Sequence, residues 1–204
     1  MKDQLSNDGT VARQAEAPVD PLFLERWSPR SFQPDPVPRE ALRTLFEAAR
    51  WAPSSSNEQP WLFLFATSPA DRQVYASLLV EANRRWAERA PVLAFVLARR
   101  SFRASGKANR WAAFDSGAAW MALALQARRL GLDTHAMGGF DEEGVYQVLG
   151  VPKNEYGAMA AIAIGRRGDP AALPEGLADR EQPSGRKPLA EVAIEGRFPA
   201  RTGG

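Results

Sequence analysis

The chain has 204 residues, enough to bury one sizeable core, and its 45% apolar and 25% charged residues are ordinary for a soluble globular protein. It contains no cysteine and a single histidine, which excludes disulfides, cysteine nucleophiles and multi-histidine zinc or iron centres. The 26 basic and 24 acidic residues leave a net charge of only +2, which argues against an arginine-rich module that binds nucleic acid.

Residues 1–19 are polar and show no hydrophobic period, so we expect a flexible leader there. This leader has no apolar stretch of the kind found in secretion signals. No run of about 18 apolar residues occurs further on, so the sequence predicts no membrane segment and a cytoplasmic location.

The first elements are predicted from capping residues and prolines. Asp20 followed by Pro21 is typical of a helix start, and this short helix is expected to end near Trp27. Four prolines within residues 28–38 then require an extended loop. A second helix is expected over residues 38–52, because its apolar residues recur at helical spacing.

The central part of the chain alternates apolar runs with helical patterns. Residues 61–67, WLFLFAT, and 90–98, APVLAFVLA, are continuous apolar runs that predict strands buried on both faces. Between them we expect one helix over 68–79, capped by a Ser-Pro pair, and a more polar helical stretch over 80–89.

The longest predicted helix spans residues 109–130, and small residues dominate one of its sides. A strand with a glycine turn over 132–140, a short helix over 141–150 and a strand over 157–165 follow. These elements predict an α+β fold, one sheet with helices around it. Residues 166–204 are rich in proline and glycine and cannot form a core, so they are either disordered or an extended arm.

The first candidate site is the segment RWSPRSF at residues 26–32. In an extended chain alternate side chains point the same way, so Arg26, Ser28 and Arg30 would face one side. Two converging guanidinium groups favour an anion, and arginine forks suit phosphate. A solvated loop is the alternative interpretation of the same residues.

The second candidate is the loop WAPSSSNEQPW at residues 51–61. Its serines and asparagine, held between Pro53 and Pro60, offer uncharged hydrogen-bonding groups suited to a polar, non-ionic ligand. A turn that satisfies the backbone at the end of a helix would have the same composition.

Together, the arginine segment, the loop APSSSNEQPW, the stretch HAMGGFD at 135–141 and the late stretch GRKPLAEV at 185–192 resemble the nitroreductase family of flavin enzymes. The resemblance extends over residues 20–195. It implies a mostly antiparallel sheet flanked by helices, and a homodimer that holds flavin mononucleotide (FMN) at the subunit interface. Residues 20–165 would be the FMN-binding domain and residues 166–204 an arm that wraps the partner.

The resemblance also implies roles for individual residues. Arg26 would bind the FMN phosphate, and Ser28 would form a hydrogen bond on the phosphate–ribityl side. Arg30 would lie by the pyrimidine edge of the flavin. The remaining cofactor-binding positions would be Pro53, Ser54, Ser55 and Asn57, which reach the flavin of the other subunit, together with Asn83, Gly138, Gly139, Arg186 and Lys187. The backbone N–H of Gly138 would face flavin N5.

Two features would serve the dimer. The segment EVAIE at 191–195 would add an edge strand to the partner's sheet, and the small-residue side of helix 109–130 would form the close-packed dimer core.

The implied activity is that of an FMN-dependent oxidoreductase, in which hydride passes from NAD(P)H through flavin N5 to a nitroaromatic or quinone by a ping-pong mechanism. No protein residue is expected to act as acid or base, and no metal is expected. Residues 99–110 are either a basic lid or an ordinary loop. A flavin carrier or sensor without turnover is the alternative function.

Overall fold

The computed structural model describes residues 13–198, which form seven α-helices and four β-strands. The helices are α1 (Pro21–Glu25), α2 (Arg39–Arg50), α3 (Pro69–Ser77), α4 (Glu81–Ala87), α5 (Ala112–Arg129), α6 (Glu142–Val148) and α7 (Leu189–Val192). The strands are β1 (Trp61–Ala66), β2 (Val92–Arg99), β3 (Asp133–Met137) and β4 (Tyr156–Gly165). Within residues 13–198 no helix combines the length and the apolar character needed to cross a membrane.

The predicted helix starts are confirmed where a side chain caps the first turn. The carboxylate of Asp20 accepts from the N–H of Leu22 at 2.8 Å, and Ser68 Oγ accepts from the N–H of Asp71 at 3.1 Å. α1 ends at Glu25, two residues before the expected end, because Arg26 already has an extended backbone.

The four strands form one antiparallel sheet in the order β1-β2-β4-β3, which confirms the predicted α+β class. The central strand β2 alternates between the two faces, as a pleated strand must. Phe95 and Leu97 enter a core with α4 and α6, whereas Ala94 and Val96 enter a core with α2 and α5. The sheet therefore lies between two helical layers.

β1 corrects the expectation that both apolar runs are buried on both faces. β2 is buried as expected, but Leu62 and Phe65 of β1 are 41% and 47% exposed. β1 is an edge strand, and because successive side chains face opposite sides of the sheet, one of these two exposed residues lies on each of its faces. An apolar run alone does not distinguish a central strand from an edge strand that a second molecule could cover.

Part of the small-residue side of α5 also differs from expectation. Ala112, Ser116 and Ala119 are buried within this chain and are therefore not free to form a dimer core. Their small side chains allow α5 to lie close to α2 and the sheet. The other side of the helix, with Phe114 and Gly117, remains exposed.

The arm first returns to its own chain. Phe32 pairs with Arg167 in an isolated antiparallel bridge, and the N–H of Gly168 donates to the carbonyl of Ser31 at 2.9 Å. Residues Leu189–Val192 form the short helix α7, so the predicted strand at 191–195 is wrong for its first two residues. Pro188 is the N-cap residue of this helix, and its extended backbone directly precedes the helical turn.

Candidate functional site

The segment 26–30 lines a cavity of about 540 Å³ near the arm. Arg26, Ser28 and Arg30 all face it, as the alternation of an extended chain predicts. Arg26 Nη1 lies 3.4 Å from Ser28 Oγ, within reach of a hydrogen bond. Arg186 of the arm completes the opposite wall, whereas Lys187 is exposed and does not line the cavity.

Several further residues of this cavity were not predicted from sequence, among them Arg13, Arg180 and His135. With them the cavity has five arginines, Arg13, Arg26, Arg30, Arg180 and Arg186, and we call it the arginine pocket. Arg180 lies in a 3-10 turn of the arm only six residues before Arg186, so the density of basic residues there was the one available signal.

Arg13 corrects the expectation of a flexible leader up to residue 19. Its Nη1 donates to the carbonyls of Leu24 and Arg26 at 2.9 and 2.7 Å, and its Nε donates to the carbonyl of Ser184 at 3.1 Å. One guanidinium group therefore joins the start of the chain, the arginine segment and the arm.

Positive charges in the pocket act on one another. Burial lowers the pKa of Arg26, and the nearby charge of Arg186 lowers it further. Burial likewise lowers the pKa of Arg13, followed by the charges of Arg186 and Arg26. Asp179 is the one carboxylate among residues 13–198 that lines the cavity. A bound anion would relieve this repulsion, so the donor set fits a phosphate group.

His135 lies in the wall of the pocket on β3. Its Nδ1 is 2.9 Å from the carbonyl oxygen of Pro29, which can only accept, so Nδ1 carries the proton. Burial lowers the pKa of His135 to about 4, against a weaker raising effect of this hydrogen bond, and the charges of Arg30 and Arg26 lower it further. The neutral ring also packs against Trp86, with the ring centres 4.6 Å apart.

The loop after α2 forms a separate cavity. Pro53, Ser54 and Ser55 line a space of about 290 Å³ together with Trp111, Phe114 and Asp115. The N–H of Ser55 donates to the carboxylate of the buried Asp115 at 3.0 Å.

The same loop has an unusual backbone. Ser56, Asn57 and Gln59 all have positive φ angles between 51° and 54°, a region that residues other than glycine rarely adopt. The side chain of Gln59 donates to Asn57 Oδ1 at 3.1 Å, and the N–H of Gln59 donates to Ser54 Oγ at 2.9 Å. Such strain is typical of functional loops.

Asn83 and the glycine pair come together at the end of β3. Asn83 Nδ2 donates to the carbonyl of Gly139 at 2.9 Å, so α4 is fixed to the turn after the strand. A Cβ atom at Gly139 would lie 2.7 Å from Asn83 Nδ2 and 2.8 Å from Val80 Cγ2, whereas one at Gly138 would meet nothing within 4 Å. Gly138 is therefore open for a ligand, and Gly139 is small for packing reasons.

The segment 99–110 returns on itself through a bridge between Ser101 and Ala108. It contacts the loop after α2, because the N–H of Arg103 donates to Glu58 Oε1 at 2.7 Å. Among residues 13–198 there is no group of three or more acidic or histidine side chains placed to hold a metal ion.

Known proteins agree with this fold. A profile of the nitroreductase family matches residues 24–85 and 74–166, so the chain belongs to that family. A crystal structure described as an oxidoreductase containing FMN is 46% identical and has a TM-score of 0.88; the match covers 93% of this chain and 97% of that one.

Two further relatives are more distant. A protein of Thermus thermophilus named NADH dehydrogenase is 30% identical over 84% of this chain and 92% of its own length. An FMN-dependent nitroreductase of Clostridium difficile is 21% identical, with a TM-score of 0.63 over 72% of this chain and 86% of its own, a likeness that shows the fold alone.

Proposed function

We propose that this protein is an FMN-dependent oxidoreductase that takes hydride from NAD(P)H and reduces a nitroaromatic or a quinone. The observation that carries the proposal is the arginine pocket, a single cavity whose wall contains the side chains of five arginines. The family membership and the FMN of the 46% identical neighbour support the same cofactor.

Within this proposal the arginine pocket holds the phosphate. Arg26 and Arg186 donate to its oxygens, and Ser28 donates beside them. Gly138 follows His135 by three residues, which is about 10 Å along an extended chain. The pocket beside the middle of β3 and the open glycine just past its end are thus spaced for an elongated cofactor, with Arg30 beside the flavin ring and Asn83 holding the glycine turn.

The other half of the site comes from a second copy of the chain in this proposal. The cavity with Pro53, Ser54 and Ser55 shares no lining residue with the arginine pocket, so one chain presents two separate half-sites. A homodimer would bring them together. Apolar side chains available for the contact are Phe114, Leu62, Phe65, Val192, Ile194 and Phe198, all of them exposed in the single chain.

Bound FMN would supply the redox chemistry, accepting hydride from the nicotinamide at N5 and passing two electrons to the acceptor. The protein positions the cofactor and supplies charge beside it. Arg30 stabilises negative charge on the ring edge that it faces, and the exposed rings of Trp111 and Phe114 offer a surface for flat aromatic acceptors. One shared site for donor and acceptor implies ping-pong kinetics.

Reduction without oxygen tests this proposal. The purified protein is loaded with FMN and mixed with NADPH or NADH, and we expect the flavin absorbance to bleach and to return when a quinone is added. Steady-state rates at several quinone concentrations should then give parallel double-reciprocal lines. Bound flavin that neither donor bleaches would favour a flavin carrier or sensor and contradict the enzyme.

A further inference from the structure

Glu181 of the arm has the most completely buried carboxylate near the proposed cofactor site, with its side chain 1% exposed. Its Oε1 accepts from the backbone N–H groups of Arg30 and Ser31 at 2.7 and 2.8 Å. The arm thereby fixes the backbone of the arginine segment at the residue proposed to lie beside the flavin.

The second carboxylate oxygen of Glu181 faces the positive charge of the Arg30 side chain. Glu181 Oε2 is buried, has no hydrogen-bond partner among residues 13–198, and lies 4.0 Å from Arg30 Nη1. The Arg30 side chain is 23% exposed, so water screens this pair only in part. Glu181 therefore does two separable things, holding the backbone with one oxygen and offsetting the guanidinium charge with the other.

We propose that Glu181 is a positioning residue that sets the reduction potential of the flavin through Arg30. The inference rests on the proposed function, in which Arg30 lies beside the flavin ring. A cation there favours the reduced cofactor, which carries more negative charge, and a carboxylate beside that cation weakens the effect. Glu181 thus lowers the potential and keeps the reduced flavin a stronger donor to the acceptor.

The variant Glu181→Gln separates the two roles. A glutamine has nearly the same shape, and its carbonyl oxygen still accepts from both backbone N–H groups, while an uncharged NH2 replaces the oxygen that faces Arg30. Asp179→Asn is the matched control, because it removes the same charge from the pocket wall at an exposed side chain for which no hydrogen bond or ion pair is found in residues 13–198.

Reductive titration of the FMN-loaded proteins against redox dyes measures the effect. In Glu181→Gln we expect the reduced flavin to gain at least about tenfold in affinity relative to the oxidised flavin, a rise in potential of about 30 mV. Asp179→Asn should shift the potential by less than a third of that amount. FMN binding by Glu181→Gln should be as tight as in the unchanged protein, or tighter.

If Glu181→Gln disturbed the structure of the arginine segment instead, FMN binding would weaken for the oxidised and the reduced flavin alike. A potential that stays the same or falls, an equal shift in Asp179→Asn, or FMN binding weakened more than tenfold would each overturn the role of Glu181 while leaving the enzyme in place. An unchanged protein that refuses FMN altogether would remove the proposed function, and this inference with it.

Discussion

Arg186 and Lys187 are adjacent basic residues, but only the first reaches the arginine pocket. Arg186→Ala should weaken FMN binding roughly tenfold through loss of a charge-assisted contact to phosphate. Lys187→Ala is the control and should change it less than twofold. Titration with riboflavin, which lacks the phosphate, should show no effect of either variant. Equal losses for both flavins would contradict a phosphate contact.

His135 predicts a pH dependence of the flavin-free protein. Burial lowers its pKa in the folded state to about 4, below the ordinary 6.5, so the unfolded chain binds the proton more readily. Its contribution is complete above pH 6.5 and is lost as the pH falls toward 4. From pH 7.5 to 5.0 the free energy of unfolding should drop by about 2 kcal/mol from this residue.

His135→Asn is the comparison for that experiment, since an amide can still donate to the carbonyl of Pro29 but does not titrate. Urea unfolding of both proteins at the two pH values isolates the histidine. The same decline in both would show that the pKa of His135 is not lowered in the folded protein.

The alternation of Arg26, Ser28 and Arg30 could be predicted because it depends only on neighbours in the chain. The contact between Arg30 and Glu181 joins residues 151 positions apart, and no local pattern signals it. The same holds for Arg13, whose bond to Ser184 spans 171 positions. The phosphate-binding set was therefore predictable in part, and the groups that hold it in place were not.

At the scale of elements, Asp115 at the start of α5 holds the strained loop after α2. Asp115→Ala should lower the free energy of unfolding by about 1–3 kcal/mol, because the N–H of Ser55 loses its acceptor. Asp115→Asn keeps an oxygen for that bond and should cost less than half as much. Urea unfolding gives both values, and hydrogen exchange at the Ser55 amide should quicken in the alanine variant. Equal losses in the two variants would contradict this role of the bond.

The glycine pair at the end of β3 offers a matched test of packing. Gly139→Ala should destabilise the fold by about 1–2 kcal/mol, because a methyl group would crowd Val80 and displace Asn83 from its bond to the Gly139 carbonyl. Gly138→Ala meets open space and should leave the thermal midpoint nearly unchanged. Thermal unfolding distinguishes them, and similar midpoints for both variants would disprove this account.

Most elements could be predicted, since caps and apolar periods act within a few residues. Which other part of the molecule packs over an element could not be predicted. The apolar run of β1 predicted burial, yet Phe65 is 47% exposed even though its ring packs against Phe46 of α2, because an edge strand is covered only in part. Residues 166–204 were predicted to form an arm that wraps a partner, and no local pattern indicated that Arg167 of this arm pairs with Phe32 of its own chain. Composition shows that such a segment needs a partner surface but not which one.

For the whole molecule, the proposed dimer predicts that the far end of the arm strengthens association. Val192, Ile194 and Phe198 are more than half exposed, and a second copy would bury them. A chain that ends at Lys187 keeps Arg186 and should dissociate at concentrations where the full chain remains a dimer. Sedimentation velocity measures this, with a chain that ends at Phe198 as the control. Equal dissociation of both chains would contradict an interface role for the arm.

The most direct test of the central claim is a crystal structure of the protein with FMN. We expect the phosphate within hydrogen-bond distance of Arg26 and Arg186, and the flavin ring between Gly138 of the same chain and loop 53–57 of a second copy. FMN bound away from the arginine pocket, or held wholly by one chain, would contradict the account.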